Sequence, residues 1–313
     1  ISVTRSLFRA NNAESRQGGG IFNVGTARIS ASTFVGNSGA NGGAIFSDIG
    51  NTQVIGSTIS GNSSASGAGG IHQAGGTVDV QSSLIAENLG VTSSPDLAGD
   101  FNSQGFNLIG AFETPHTGFV NGSNNDQVGT EAAPIDPMLG MLADNGGPTM
   151  TMLLQGGSPA IDAGIAIMNG SDTSVLPPTD QRGVPRSIDA AADIGAFESG
   201  FMGFFVNSTL DAPDADLMDG LPDDGMGRST LRAAIQQANF GSGSGEIVLL
   251  PGIYTLTQAG VDDAAAVGDL DILRDLTLTG FGAQASVIDG GGIDRVVQVV
   301  FGTVDLVALT LQN

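Results

Sequence analysis

Ser6-Leu7-Phe8-Arg9-Ala10-Asn11, Ser32-Thr33-Phe34-Val35-Gly36-Asn37, Ser57-Thr58-Ile59-Ser60-Gly61-Asn62 and Ser83-Leu84-Ile85-Ala86-Glu87-Asn88 are four versions of one hexapeptide, spaced 26, 25 and 26 residues apart. Between them recur Gly19-Gly20-Ile21-Phe22, Gly43-Ala44-Ile45-Phe46 and Gly70-Ile71-His72, each followed by a short Gly or Asn turn. The apolar stretches within a repeat are too short and too Gly-rich for paired helices. Alternation such as Ile29-Ser30-Ala31 and Val78-Asp79-Val80 has the period of a strand. A closed coil of about 25 residues, stacked on the next at roughly 4.8 Å, satisfies its backbone hydrogen bonds between coils. The expected fold is all-β, a right-handed parallel β-helix. Residues one period apart then stack: Phe8, Phe34, Ile59 and Ile85 as an internal apolar ladder, and Asn11, Asn37, Asn62 and Asn88 as an asparagine ladder at one corner. Side-chain amides can bond along the axis there, and Asn tolerates the left-handed backbone of a sharp corner. The glycines read as corner residues, since Gly18-Gly19-Gly20 follows no strand–helix pattern of a phosphate cradle.

Working outward, the 313 residues include 49 Gly, no Cys, no Trp and no Lys, and all ten basic residues are Arg. The net charge is −22 although only 13% of residues are charged, and 40% are hydrophobic, which is enough for a buried core. A lysine-free acidic surface argues against nucleic acid and anionic membranes as partners and favours divalent cations or simple solubility. Without Cys there are no disulfides and no thiolate metal sites. No run approaches the roughly 18 apolar residues of a membrane span, so none is expected. The chain begins at Ile1 with no visible signal peptide, and is expected to be a fragment or processed product of a secreted bacterial protein.

From about Phe106 the period fails. Asn145-Gly146-Gly147-Pro148-Thr149, Ser158-Pro159-Ala160-Ile161-Asp162-Ala163-Gly164, Asp180-Gln181-Arg182-Gly183-Val184-Pro185-Arg186 and Asp193-Ile194-Gly195-Ala196-Phe197-Glu198 follow in that order. These four motifs resemble the C-terminal region of bacterial choice-of-anchor Q surface proteins, over roughly residues 140 to 198. That resemblance implies a surface protein and a region following β-helix coils. We expect an irregular cap over the open end of the solenoid. Arg182, Asp162 and Asp193 could be mistaken for a catalytic cluster but read as salt bridges holding the cap.

The last third reads as the start of another β-helix. In Ser229-Thr230-Leu231-Arg232-Ala233-Ala234-Ile235-Gln236-Gln237-Ala238-Asn239, Leu231, Ala234, Ile235 and Ala238 have helical spacing, with Ser229 or Thr230 as N-cap. Short strands follow at Ile247 to Leu250, Ile253 to Leu256, Asp269 to Ile272, Leu276 to Leu278, Val287-Ile288 and Val304 to Leu311. This segment resembles the domain named after Cys-Ser-Leu-Arg-Glu-Ala, which opens many such β-helices with a capping helix. Here the motif reads Ser-Thr-Leu-Arg-Ala-Ala, so its Cys and Glu are missing, and Pro222 stands where the resemblance implies the partner Cys. The expected order is coils over 1–110, a C-terminal cap over 111–198, a linker over 199–203, and over 204–313 an N-terminal cap, with its helix at about 229–239, and the first coils of a second β-helix.

That inverted order suggests a cut through a tandem array. The chain is expected to be a non-enzymatic structural repeat of a long extracellular surface or filament protein, with neighbouring copies as partners and Asn313 closing on Ile1 of the next copy or separated from it by a further coil. An adhesin binding glycans or a host surface, and a polysaccharide lyase or hydrolase, are the alternatives. Against an enzyme, Arg5, Arg9, Arg16 and Arg28 have no carboxylate cluster beside them, His72 and His116 lack metal-ligand spacing, and no Ser/His/Asp set is visible. His72 occupies the position of Phe22 and Phe46 and reads as a strand residue. The candidate cofactor is Ca²⁺, at Asp211, Asp214, Asp216, Asp219, Asp223 and Asp224, whose carboxylates lie within 14 residues with Gly220 and Gly225 as turns. The competing reading of that loop is a solvated acidic segment.

Overall fold

The computed structural model describes residues 1–91, 95–113, 116–165, 176–186, 191–241 and 245–313. Its parallel strands stack as a β-solenoid with turns about 26 residues apart. The chain divides into two compact units: Ile1–Asn145 with Thr149–Gly200, and Gly146–Pro148 with Phe201–Asn313.

The first unit has three faces. The first face stacks Ser2–Thr4, Thr26–Ser30, Asn51–Ile55, Thr77–Gln81 and Asn102–Ser103. The second stacks Leu7–Arg9, Thr33–Val35, Thr58–Ser60, Leu84–Ala86, Leu108–Ile109 and Gln127–Val128, and the third Ile21–Asn23, Ile45–Ser47, Ile71–Gln73 and Leu97–Ala98. Three-residue strands suffice because the alternating pleat turns one residue inward from each, and that residue lands on its counterpart one coil away. Phe8, Phe34, Ile59, Ile85, Ile109 and Val128 are successive register partners, and the rings of Phe8 and Phe34 stack at 4.4 Å. Val3, Ile29, Val54 and Val80 do the same on the first face, and Ile21, Ile45, Ile71 and Leu97 on the third. At the far end Phe101, Phe112 and Phe119 plug the core, with Phe112 edge-on to Phe119 at 5.5 Å. The stacking continues past residue 110, because Gln127–Val128 still pairs with Leu108–Ile109 although a long excursion between them hides the period.

Two polar ladders run along the corners. Asn11, Asn37 and Asn62 each donate a side-chain N–H to the amide oxygen of the next asparagine, at 2.8, 2.8 and 2.9 Å. The same oxygens also accept the backbone N–H of the preceding ladder residue. The ladder ends at Asp96, whose Oδ1 accepts both N–H groups of Asn88 and whose Oδ2 accepts Ala111 N. In the second ladder the backbone N–H groups of Ser6, Ser32 and Ser57 donate to the hydroxyls of Ser32, Ser57 and Ser83, Ser83 N donates to Asn107, and Asn107 donates to Asp126. An asparagine passes a hydrogen bond on, whereas a carboxylate only accepts, so an aspartate finishes each run without an orphaned donor.

The ladder asparagines are not themselves left-handed, contrary to the sequence expectation. The positive φ angles belong to the residues just before them: Ala10 (53°), Gly36 (66°), Gly61 (66°) and Glu87 (60°). A second left-handed residue lies five positions earlier, at Arg5, Ala31, Gly56 and Ser82. The pair turns the chain on either side of each second-face strand. The asparagine then sits in ordinary backbone geometry with its amide aimed down the axis.

Residues 135–199 form a flap that lies along the outward side of the second face, not across the end of the stack. Thr33 Oγ1 donates to Gln181 Oε1 at 2.6 Å, Ala196 N to Thr58 Oγ1 at 3.0 Å and Gly195 N to Ser82 O at 2.9 Å. Leu154, Ala160 and Ile194 of the flap pack on Leu84, Ala86 and Leu108. The sequence expectation of an end cover missed this because outward-facing Leu84 and Leu108 look like core residues of the coil itself.

In the second unit Phe204–Val206, Glu246–Leu249, Leu276–Thr279 and Val304–Val307 form one face, Gly252–Thr255, Ser286–Asp289 and Thr310–Gln312 another, and Leu270–Ile272 and Val297–Val299 a third. The helix spans Leu231–Phe240, with Thr230 as N-cap accepting from Ala233 N, so it starts two residues later than the spacing suggested. Leu231, Ala234, Ile235 and Ala238 close the core against Ile247, Leu249 and Leu270. Ala308 (52°) and Asn313 (61°) repeat the five-residue pair of left-handed corners.

Because Asn62 is buried and bonded on both sides, Asn62→Ala leaves the Asn37 donors without an acceptor. Asn62→Ala is expected to cost about 3 kcal/mol, and Asn11→Ala, at the exposed end of the same ladder, less than about 1 kcal/mol. Urea denaturation midpoints at constant slope check both.

Candidate functional site

Of the six aspartates in the acidic loop, two are already committed. Arg232 Nε donates to Asp211 Oδ1 at 2.6 Å, and its remaining donors reach Asp211 Oδ2 and the carbonyls of Ala265, Gly268 and Asp269. Arg232 is fully buried. Burial pushes the Asp211 carboxyl up, but Arg232 and the N–H groups of Thr257 and Gln258 outweigh it and hold the group below the usual range. Asp224 is bonded by Arg228 at 2.7 Å. That hydrogen bond keeps the exposed carboxyl below its ordinary value.

The other four occupy local turns: Asp214, Asp216, Asp219 and Asp223 each accept a backbone N–H two residues ahead. Asp214 is pushed up, first by burial and then by the negative charges of Asp219, Asp223 and Asp216, and its Oδ2 is buried without a donor. Among the described residues, no group of three or more His, Cys, Asp or Glu is arranged to hold a metal ion.

The motif residues of the flap assemble into one buried network. Arg182 pairs with Asp180 at 2.8 Å, donates to the Asn145 and Glu198 carbonyls, and lies 3.7 Å from the centre of the Phe197 ring. Arg186 pairs with Glu198 at 3.1 Å, both side chains fully buried. Asp193 accepts the N–H groups of Asp162 and Ser199, so Asp162 meets it through backbone and not as a second carboxylate. Gln181 ties in Thr149 and Met150. These charges are saturated by one another and by backbone, which is the chemistry of a clasp. The reading of the motifs anticipated salt bridges but not Arg186–Glu198, which no spacing rule marks.

Phe22, Phe46 and His72 are register partners on the third face and form a ring stack, at 5.7 and 5.3 Å, separate from the interior cluster. Burial lowers the His72 pKa, and His116 lowers it further; His72 Nδ1 has no hydrogen-bond partner. His116 Nδ1 accepts from Gly99 N. Two clefts carry carboxylates: one of about 430 Å³ lined by Glu246, Asp275, Thr277 and Asp305, and one of about 290 Å³ lined by Glu87, Asp96, Ile135 and Asp136. Neither was visible in the sequence, because each gathers residues from successive coils.

No family model matches the chain, and no curated protein or solved structure matches it. Among the described residues no helix is long and apolar enough to cross a membrane.

Replacing Arg232 with Met strands a buried Asp211 carboxylate, at an expected cost of about 3–5 kcal/mol to the second unit. Tyr254, the single tyrosine in a chain without Trp, lies buried in that unit and reports its unfolding by fluorescence. Since the Asp211 pKa is lowered, its contribution is present above the ordinary value of 3.8 and is lost as pH falls through the native value. The Arg232→Met variant should lack this acid limb.

Proposed function

We propose that the chain is a structural segment of a long bacterial extracellular surface or filament protein, in which β-helices stack end to end. The observation that carries this reading is the axial direction of the polar bonding: amides and hydroxyls that could serve chemistry are spent coil to coil along both ladders. The guanidinium and carboxylate groups that could imitate a catalytic centre are likewise closed on one another inside the flap and around Arg232. The two clefts are lined by carboxylates, which repel the acidic polysaccharides that many β-helix enzymes degrade. The resemblances to choice-of-anchor Q proteins and to the Cys-Ser-Leu-Arg-Glu-Ala domain point to the same class.

Neighbouring copies would meet at strands paired on one side only, such as Val304–Val307 and Thr310–Gln312, where Leu306, Val307 and Leu311 are exposed. A glycan-binding adhesin is the second reading, favoured by the Phe22–Phe46–His72 stack, of which Phe22 is half exposed. Ca²⁺ at Asp214, Asp216, Asp219 and Asp223 fits either reading as an ionic staple, and the donorless Asp214 oxygen is the atom that supports it.

Sedimentation velocity over a range of concentrations is expected to show end-to-end oligomers that Leu306→Lys with Leu311→Lys abolishes. A monomer at every concentration would remove the stacking reading, and specific glycan binding lost in Phe22→Ala would put the adhesin in its place. If the staple exists, Ca²⁺ raises the thermal midpoint reported by Tyr254, and EGTA reverses the rise.

A further inference from the structure

We propose that the flap is a pH-sensitive strap, held against the second face of the coils by a Glu198 side chain that carries a proton, and released when that proton is lost. This goes beyond the structural role above and does not depend on it.

The clasp of the flap contains three carboxyl groups, Asp180, Asp193 and Glu198, against two guanidinium groups, Arg182 and Arg186. Ionised together, they leave one negative charge in surplus where the Asp180, Asp193 and Glu198 residues are all at most 1% exposed. The hydrogen bonds single out which group is neutral. Asp180 accepts from the N–H groups of Arg182, Val184 and Glu198 and from the Arg182 side chain. Asp193 has a backbone N–H on each oxygen. Glu198 accepts only on Oε2, from Arg186 Nη1 and Asp193 N, both at 3.1 Å, while Oε1 is buried with no donor. A negative oxygen without a donor and without water is the costliest arrangement of the three, so the proton belongs there.

The charged groups around Glu198 are Arg186, Asp193 and Asp180 from the flap; Arg5, from the first coil, acts on Asp180. Asp189 lies outside the described residues. Burial, moderated by Arg186 and reinforced by Asp193, pushes the Glu198 carboxyl up to about 8. A raised native pKa means that the closed flap binds the proton more tightly than the open one. The contribution is therefore complete below the ordinary value of 4.5 and is lost as pH rises through about 8. In that window the opening equilibrium grows about tenfold per pH unit, then levels off.

Opening would break the bonds of Gly195 N to Ser82 O and Ala196 N to Thr58 Oγ1, and uncover Thr33, Thr58, Leu84 and Leu108. The test is amide hydrogen exchange on the full chain from pH 5 to pH 9, with each rate normalised to the intrinsic exchange rate at that pH. Protection at Ile194, Gly195 and Ala196 should fall about tenfold per unit up to about pH 8, while protection at Ile59 and Ile85 in the coils stays level. Glu198→Gln, an isostere of the protonated acid, should hold the flap shut with no such slope. Level protection at 194–196 in the unsubstituted protein, or an unchanged slope in Glu198→Gln, overturns the proposal. Should Glu198→Gln fail to fold, carboxyl ¹³C titration decides. The chain has six glutamates, and one must titrate near pH 8 in the folded protein; six ordinary values would overturn the proposal equally.

Discussion

Stacking parallel strands one coil apart sets every interior side chain directly on its counterpart above and below, and the rest of this structure answers to that constraint. An apolar residue meets it by being apolar in each coil, which produces the runs from Phe8 to Val128 and from Ile21 to Leu97. A buried polar residue faces a stricter condition, because its donors and acceptors find partners chiefly along the axis. Asparagine meets that condition with an acceptor on one side and a donor on the other. The result is a row of bonds with a direction, in which each amide points toward the next coil and the final oxygen belongs to an aspartate.

The buried charges follow the same logic in the covers. Arg232 fills its donors with a carboxylate and three carbonyls beneath the helix, and Arg182 and Arg186 do so within the flap. A cation saturated in this way holds irregular backbone in place where no sheet can form. A net charge of −22 therefore coexists with an interior whose arginines sit against carboxylates. Glu198 is the point at which the balance is incomplete, with three carboxyls and two guanidiniums in one enclosed space.

The coils were legible because the repeat is nearly regular over the first ninety residues, and the hexapeptide carries its own corners and its own inward residue. Legibility failed where a coil lengthens at a corner. The strand partners Ile109 and Val128 are separated by an excursion that ends in the Phe119 plug, and Phe205 pairs with Val248 only after the acidic loop and the helix. Aspartates 96 and 126 went unrecognised as ladder ends for the same reason, since each arrives out of period. The acidic loop was visible as a cluster, but not its division: chain proximity does not reveal that Asp211 turns to Arg232 and Asp224 to Arg228. The flap motifs identified the clasp residues without revealing which surface they grip. Leu84 and Leu108 look the same in sequence whether they face a core or a cover.

Each ladder also records how long its solenoid is. Inserting a whole coil with its asparagine would extend the row without disturbing any existing bond, provided it entered before the terminal acid. Inserting one after Asp96 or Asp126 would offer donors to an oxygen already filled and leave the new amide with nothing to receive it. A lineage that lengthens or shortens this unit by duplicating coils is thus steered toward the interior of the row, with the two acids carried along as a fixed end mark. Length can drift by whole turns, while the terminus keeps its identity.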